Sequence, residues 1–177
     1  MLTDKKLEAD EFICNFSELM RSTLQKSDKI FCTLNEEIEY VKKYMELQQV
    51  RFNHQFKYEI KISNSVQLNE KVPKHILYTY IENAIKHGLN TKRNLLIKID
   101  ISKSKNKLIL IIEDNGGGFD TSKNTRTNST GSGLSIMEKI YNLYAKLYKK
   151  KITHKIKEIK DAENKVVGVK VLVFISQ

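Results

Sequence analysis

The chain has 177 residues, 40% of them apolar, with eight tyrosines and seven phenylalanines, enough for one cored domain plus a helical extension. Its 31 basic and 21 acidic side chains leave a net charge of +10, but the lysines are spread over the chain, concentrate only at 146–160 and do not interleave with aromatics, so a solvated basic face accounts for them better than nucleic acid does, with an anionic small ligand or an acidic partner next. No run has the length of a membrane span or the form of a signal-peptide core, and Cys14 and Cys32 stand at no metal-ligand spacing, which fits a reducing, cytoplasmic setting.

Leu7, Phe12, Ile13, Phe16, Leu19, Met20 and Leu24 recur at spacings of three and four and predict an amphipathic helix over 4–26. Thr33-Leu34-Asn35-Glu36 has the form of a capping box and opens a second helix over 33–52. Ile38, Tyr40, Val41, Tyr44, Met45 and Leu47 make its wide stripe, and the two helices in sequence carry more apolar surface than one small domain needs, so packing on a partner copy is expected. Phe56, Tyr58, Ile60 and Ile62 then alternate with polar residues, a period-two strand.

Residues 73–88 follow as an apolar helix with a polar C-terminal end, with Pro73 before it and Gly88 where a left-handed cap is expected. Placing Glu82, Asn83, Lys86 and His87 together on such a helix costs desolvation unless they have partners. Two apolar runs, 95–101 and 107–113, predict a hairpin. Residues 115–133 hold five of the seven glycines. A helix over 134–148 and two lysine-rich strands at about 150–158 and 166–175 complete the chain, with Asp161-Ala162-Glu163-Asn164 as their turn. This order describes an α+β fold, a two-layer sandwich of a mixed sheet of about five strands with helices on one face. It divides into a helical unit at 1–54 and a domain at 55–177.

Three segments carry chemistry. Asp114 stands where an apolar strand leaves the core, and a carboxylate there accepts a hydrogen bond from the exocyclic amine of adenine, a donor that guanine lacks at that position. Gly116 and Gly118 permit unusual backbone angles and close approach to a flat base. Gly131-Ser132-Gly133 ahead of a helix has the form of a phosphate cradle, because the first-turn N–H groups and the helix dipole favour an anion. Asn83 offers a neutral oxygen suited to Mg²⁺, and Lys86 and His87 lie three and four residues on, placed to neutralise phosphate. Each segment has a plain alternative: a glycine turn, a common helix start, and a Glu82–Lys86 ion pair with His87 as a C-terminal helix cation. Their occurrence together in this order favours a nucleotide site. The polar loop 119–130 between the two glycine segments reads as its lid.

At these residues the sequence resembles the ATP-binding domain shared by histidine kinases, type II topoisomerases, mismatch-repair ATPases and the large heat-shock chaperones. Glu82-Asn83-Ala84 is similar to the N box, Asp114-x-Gly116-x-Gly118 to the first glycine box and Gly131-x-Gly133-Leu134 to the second. Val72-Pro73, the run from Ile81 to Gly88, and Glu36-Glu37-Ile38 with Tyr44-Met45-Glu46-Leu47-Gln48 and Arg51-Phe52 narrow the resemblance to LytS-type sensor histidine kinases. It implies a Bergerat-type fold binding ATP and Mg²⁺, with Asp114 on adenine and Asn83 on the metal. It also implies Glu82 as a base for the incoming histidine, a homodimer through the N-terminal helices, and a response regulator as partner. A membrane anchor would lie only in a part preceding this chain.

Two departures qualify it. His54, His75, His87 and His154 all lack the family's phosphoacceptor context, so the chain is expected to bind ATP without phosphorylating itself. Thr79 stands one turn before Asn83, where hydrolysing relatives carry glutamate, so intrinsic ATP turnover is expected to be slow. An ATPase or serine kinase of the same fold, of anti-sigma type, and a non-catalytic interaction module are the alternative readings.

Overall fold

A computed structural model of the chain describes residues 30–91, 94–118 and 131–176, the first six of the last segment by their helical backbone only. The predicted helix 4–26 and the lid 119–130 lie outside the described residues.

The capping box forms as predicted. Thr33 Oγ1 accepts from the Glu36 N–H at 3.2 Å, and Glu36 Oε2 accepts from the Thr33 N–H at 2.8 Å, opening helix α1 (Leu34–Arg51). A three-residue strand that the sequence did not announce, β1 (Phe31–Thr33), runs into it and pairs antiparallel with β3 (Lys71–Pro73). Three-residue strands are too short to show a period.

The main sheet contains β2 (Phe56–Ile62), β4 (Leu95–Ser104), β5 (Lys107–Asp114), β6 (Ile152–Lys160) and β7 (Val166–Ser176) in the order β2-β4-β5-β7-β6. β2 and β4 are parallel and every other pair is antiparallel, giving the expected mixed five-stranded sheet. The β4–β5 connection is tighter than predicted, a two-residue turn in which Lys105 adopts φ 53°. At the other hairpin Asp161 Oδ1 accepts from the N–H groups of Glu163 and Lys165 at 3.0 and 2.9 Å. Lys155, Lys157 and Lys160 stand exposed on β6, an edge strand, where lysines discourage pairing with a second sheet.

Three helices among the described residues cover one face of this sheet: α1, α2 (Tyr78–Thr91) and α3 (Gly131–Tyr148). Ile38, Val41 and Met45 of α1 are buried in the same core as Ile81 and Ile85 of α2 and the inward residues of β4, β5 and β7. The α1 stripe is therefore covered within the chain, and the core continues without a break across residue 54. No helix among the described residues is long and apolar enough to cross a membrane.

The helix predicted at 73–88 is displaced toward the C-terminus. Pro73 ends β3, residues 74–77 form a turn, and His75 adopts φ 66°. The start of α2 is set by a residue far away in sequence. Glu37, only 1% exposed, accepts from the N–H groups of His75 at 2.9 Å, Leu77 at 3.0 Å and Tyr78 at 3.3 Å. An anion there satisfies donors that a helix start leaves open and complements its dipole. Burial raises the Glu37 pKa, and those three backbone bonds oppose the shift.

Gly88 is not a left-handed cap, because α2 continues through it to Thr91. Its lack of a side chain serves packing: a Cβ there would overlap the buried Leu95 side chain. The second glycine segment is also corrected. Gly131, Ser132 and Gly133 form the first turn of α3 rather than preceding it.

Candidate functional site

Residues Tyr80, Asn83, Ala84, His87 and Gly88 recur at helical spacing on α2, and all of them face one open cleft of about 520 Å³. The opposite wall is the end of β5, where Ile112 and Asp114 lead into Gly116 and Gly118. Val169 and Val171 of β7 and Ile156 of β6 make an apolar floor. The site exists because β5 ends where α2 passes over the sheet, and because nothing larger than hydrogen separates them. A Cβ on Gly116 would overlap the Gly88 Cα. Thr91 ties the same junction, its hydroxyl donating to the carbonyls of Gly88, at 3.0 Å, and of Gly116.

Asp114 is half-buried, and its Oδ1 accepts from the Gly116 N–H at 2.8 Å. Burial raises its pKa, while backbone hydrogen bonds from Gly116 and Val169 and the nearby His87 hold the shift back. The carboxylate is thus held by two backbone donors and stands in an apolar cleft where a further donor gains more than it would in water. Asn115, between Asp114 and the glycines, is structural: its Oδ1 accepts from the Leu96 N–H at 2.8 Å and holds the loop to the start of β4. Gly117 and Gly118 adopt φ of 84° and 88°, angles that favour glycine. Gly116 does not, and is glycine for the close approach alone.

The predicted site residues therefore divide. Asn83, His87, Asp114, Gly116 and Gly118 come together around the cleft. Glu82 and Lys86 are not among its lining residues. Lys86 is exposed, and Glu82 stands toward α1, where its charge acts on the hydroxyls of Tyr44 and Tyr78, both raised chiefly by burial. The one-residue step from Asn83 to Glu82 is a turn of roughly 100° about the helix. For Gly131, Ser132, Gly133 and Leu134 the structure gives their place in the first turn of α3.

Sequence reasoning missed Tyr80, Gly88 and the β7 floor. The spacing of Tyr80 and Gly88 from Asn83 carries a signal, since positions 80, 83, 84, 87 and 88 share one helical face. The β7 residues carried none, because pairing of β5 with β7 joins segments more than fifty residues apart. Behind the cleft wall Tyr80 also makes a buried contact, its hydroxyl 3.0 Å from that of Tyr141 on α3.

Magnesium takes oxygen ligands, keeps several waters and shares substrate phosphates. The cleft offers the Asn83 amide oxygen, and no cluster of three or more acidic, histidine or cysteine side chains is present among the described residues. One protein oxygen at the mouth of an open cleft fits a cation completed by phosphate and water, and does not fit an all-protein cage.

Residues 69–171 match the sequence profile of the family described as histidine kinase-, DNA gyrase B-, and HSP90-like ATPase, and residues 1–56 match that described as histidine kinase. The chain is similar to the sensor protein LytS of Staphylococcus epidermidis, at 28% identity over 137 residues, covering 73% of this chain and 23% of that protein. It is 30% identical over 136 residues to the sensor histidine kinase BtsS of Escherichia coli, covering 75% of this chain and again 23% of the other. Its fold is similar to the histidine kinase domain of a blue-light activated histidine kinase from Erythrobacter litoralis, with TM-score 0.58 at 13% identity, covering 93% of this chain and 74% of that one. The chain thus spans about a quarter of the length of the curated relatives it matches.

Proposed function

The chain belongs to the histidine kinase-, DNA gyrase B- and HSP90-like ATPase family, and on that premise we propose that it is the ATP-binding catalytic core of a two-component sensor histidine kinase. The observation that carries this is the convergence of Asn83, His87, Asp114, Gly116 and Gly118 on one cleft with an apolar floor. The reaction is transfer of the γ-phosphoryl group of ATP to a histidine nitrogen, with ADP released, and then onto an aspartate of a response regulator.

In this reading Asp114 accepts the adenine amine, and the valine floor holds the base. Asn83 contributes its oxygen to Mg²⁺, which when bound neutralises charge between phosphate oxygens. His87 adds a donor one turn on, and the first turn of α3, with Gly131, Ser132, Gly133 and Leu134, receives phosphate at its open N–H groups. Lys86 serves at most from outside the cleft. Glu82 would need an acceptor histidine presented from the α1 side to act as base. Residues 1–54 are assigned to the dimerisation and phosphoacceptor region and 55–177 to the ATP-binding domain, with α1 packed into the core that the two share. Two copies join through the N-terminal helices.

The test is incubation of the chain with γ-labelled ATP and Mg²⁺, followed by acid and alkaline treatment. Bound ATP with no acid-labile phosphohistidine on this chain is expected. Accumulation of phosphohistidine on it would place the acceptor among His54, His75, His87 and His154 and overturn that part of the proposal.

A further inference from the structure

At the far end of β5 from Asp114 the molecule opens a second cleft, of about 540 Å³. Leu108 lies in its lining, six residues along β5 from Asp114, roughly 20 Å. The two clefts are therefore distinct, and α3 contributes Tyr144 and Tyr148 to this one.

The floor is apolar. Leu108 and Ile175 are cross-strand partners on β5 and β7. One wall is aromatic, with the Tyr144 and Tyr148 rings 4.9 Å apart and Phe31 edge-on to both at 5.4 and 5.1 Å. The wall is fixed, because the Tyr144 hydroxyl donates to the Lys71 carbonyl at 3.0 Å and so ties α3 to the β1–β3 ribbon. Tyr148 nonetheless remains 41% exposed. The charge at the mouth is basic. Glu70 is met by Lys103 at 3.0 Å within the wall, which leaves the charge of Lys71 and Lys150 in excess. Lys150 belongs to the lysine-rich stretch 146–160, which nucleotide binding leaves unexplained. A solvated basic face would account for those lysines but not for the concave apolar floor beneath them.

We propose that this cleft is a second binding site for a small amphipathic acid, an aromatic or aliphatic body ending in a carboxylate, sulfonate or phosphate. The body lies against the exposed part of Tyr148, above the buried Leu108 and Ile175, and the anion meets Lys71 and Lys150. Small-molecule sites are mostly apolar with a few placed polar groups.

The proposal stands apart from the nucleotide reading and is tested on the full chain with 8-anilinonaphthalene-1-sulfonate, with and without ADP-Mg²⁺. A saturable fluorescence increase that ADP-Mg²⁺ does not displace is expected. The double variant Lys71→Glu/Lys150→Glu should weaken it roughly tenfold or more, the scale of one charge-assisted contact. Tyr148→Ala should weaken it as well, and Asp114→Asn should leave it unchanged. The uncharged analogue N-phenyl-1-naphthylamine should bind roughly tenfold or more weakly than the sulfonate on the same scale. Lys150→Glu alone, in a surface turn, supplies the charge test if the double variant melts early. Affinity indifferent to both the lysines and Tyr148, or displacement of the dye by ADP-Mg²⁺, would overturn the proposal. Failure of ADP to raise the melting point while the dye still binds counts against the nucleotide site alone.

Discussion

Gly88 and Gly116 pack backbone to backbone, so that a methyl group on Gly116 would overlap the Gly88 Cα. One glycine comes from the helix that carries Asn83, the other from the loop that follows Asp114, and their contact sets the width of the cleft.

The two positions should not respond alike to alanine. At Gly88 the new methyl meets the Leu95 side chain, which has rotatable bonds; at Gly116 it meets backbone. Overpacking of a core costs about 1–3 kcal/mol. Gly88→Ala is expected toward the lower end of that range and Gly116→Ala toward the upper end, with loss of nucleotide binding. Urea denaturation gives the stabilities. Equal costs at the two sites would contradict the account of the contact.

Tyr80 and Tyr141 share a buried hydrogen bond of 3.0 Å between α2 and α3. Removing one hydroxyl strands the other, at about 1–3 kcal/mol, whereas replacing both by apolar rings is close to neutral. Tyr80→Phe and Tyr141→Phe should therefore each destabilise, and the double variant should recover most of the loss. A double-mutant cycle from denaturation midpoints measures the coupling. Additive losses would show that the pair does not join the two helices.

Glu37 carries a larger share of the fold than a surface-helix glutamate would. Glu37→Ala leaves one buried N–H, that of Leu77, and two part-buried ones, those of His75 and Tyr78, without this acceptor, at about 1–3 kcal/mol for a buried group left unsatisfied. A loss of roughly 3 kcal/mol or more is expected, together with early hydrogen exchange at Leu77 and Tyr78. A loss under about 1 kcal/mol, usual for surface substitutions, would contradict the capping role.

The legibility of this molecule in its sequence divides along the same line. Local chemistry is readable: Thr33 and Glu36 announce α1, and Asp161 marks the β6–β7 turn. So are the motifs around the cleft, since Asn83 and Asp114 stand in short patterns with their own physical reasons. What could not be read depends on contacts across the chain. Glu37 reaches the start of α2 forty residues on and moves that start from Pro73 to Tyr78. Gly88 looks like a cap until Leu95 and Gly116 are placed against it. The apolar stripe of α1 looks surplus until α2 and the sheet cover it.

His75 gives the acid side of stability a specific origin. Its ring lies between Tyr40 and Tyr78, its buried Nδ1 has no hydrogen-bond partner among the described residues, and burial, with Lys74 next, lowers its pKa to about 4. The folded pKa lies below the unfolded value of 6.5, so the unfolded chain takes up the proton first on acidification. The contribution of neutral His75 is present above about pH 6.5 and is lost as pH falls toward 4. Glu37, with a raised pKa, acts in the opposite sense. His75→Asn, which tolerates a positive φ, should flatten the fall in melting temperature between pH 6.5 and 4 relative to the parent chain. An unchanged slope would assign that fall to other groups.

The adenine-nucleotide site is tested most directly by the melting temperature in ATP and in GTP, each with and without Mg²⁺, for the parent chain and for Asp114→Asn. Stabilisation by ATP and not GTP, increased by Mg²⁺, is predicted. Asp114→Asn should weaken ATP binding by roughly 10–100-fold, the scale of a hydrogen bond to a charged acceptor. Equal shifts with ATP and GTP, or an ATP shift that survives Asp114→Asn unchanged, would contradict it.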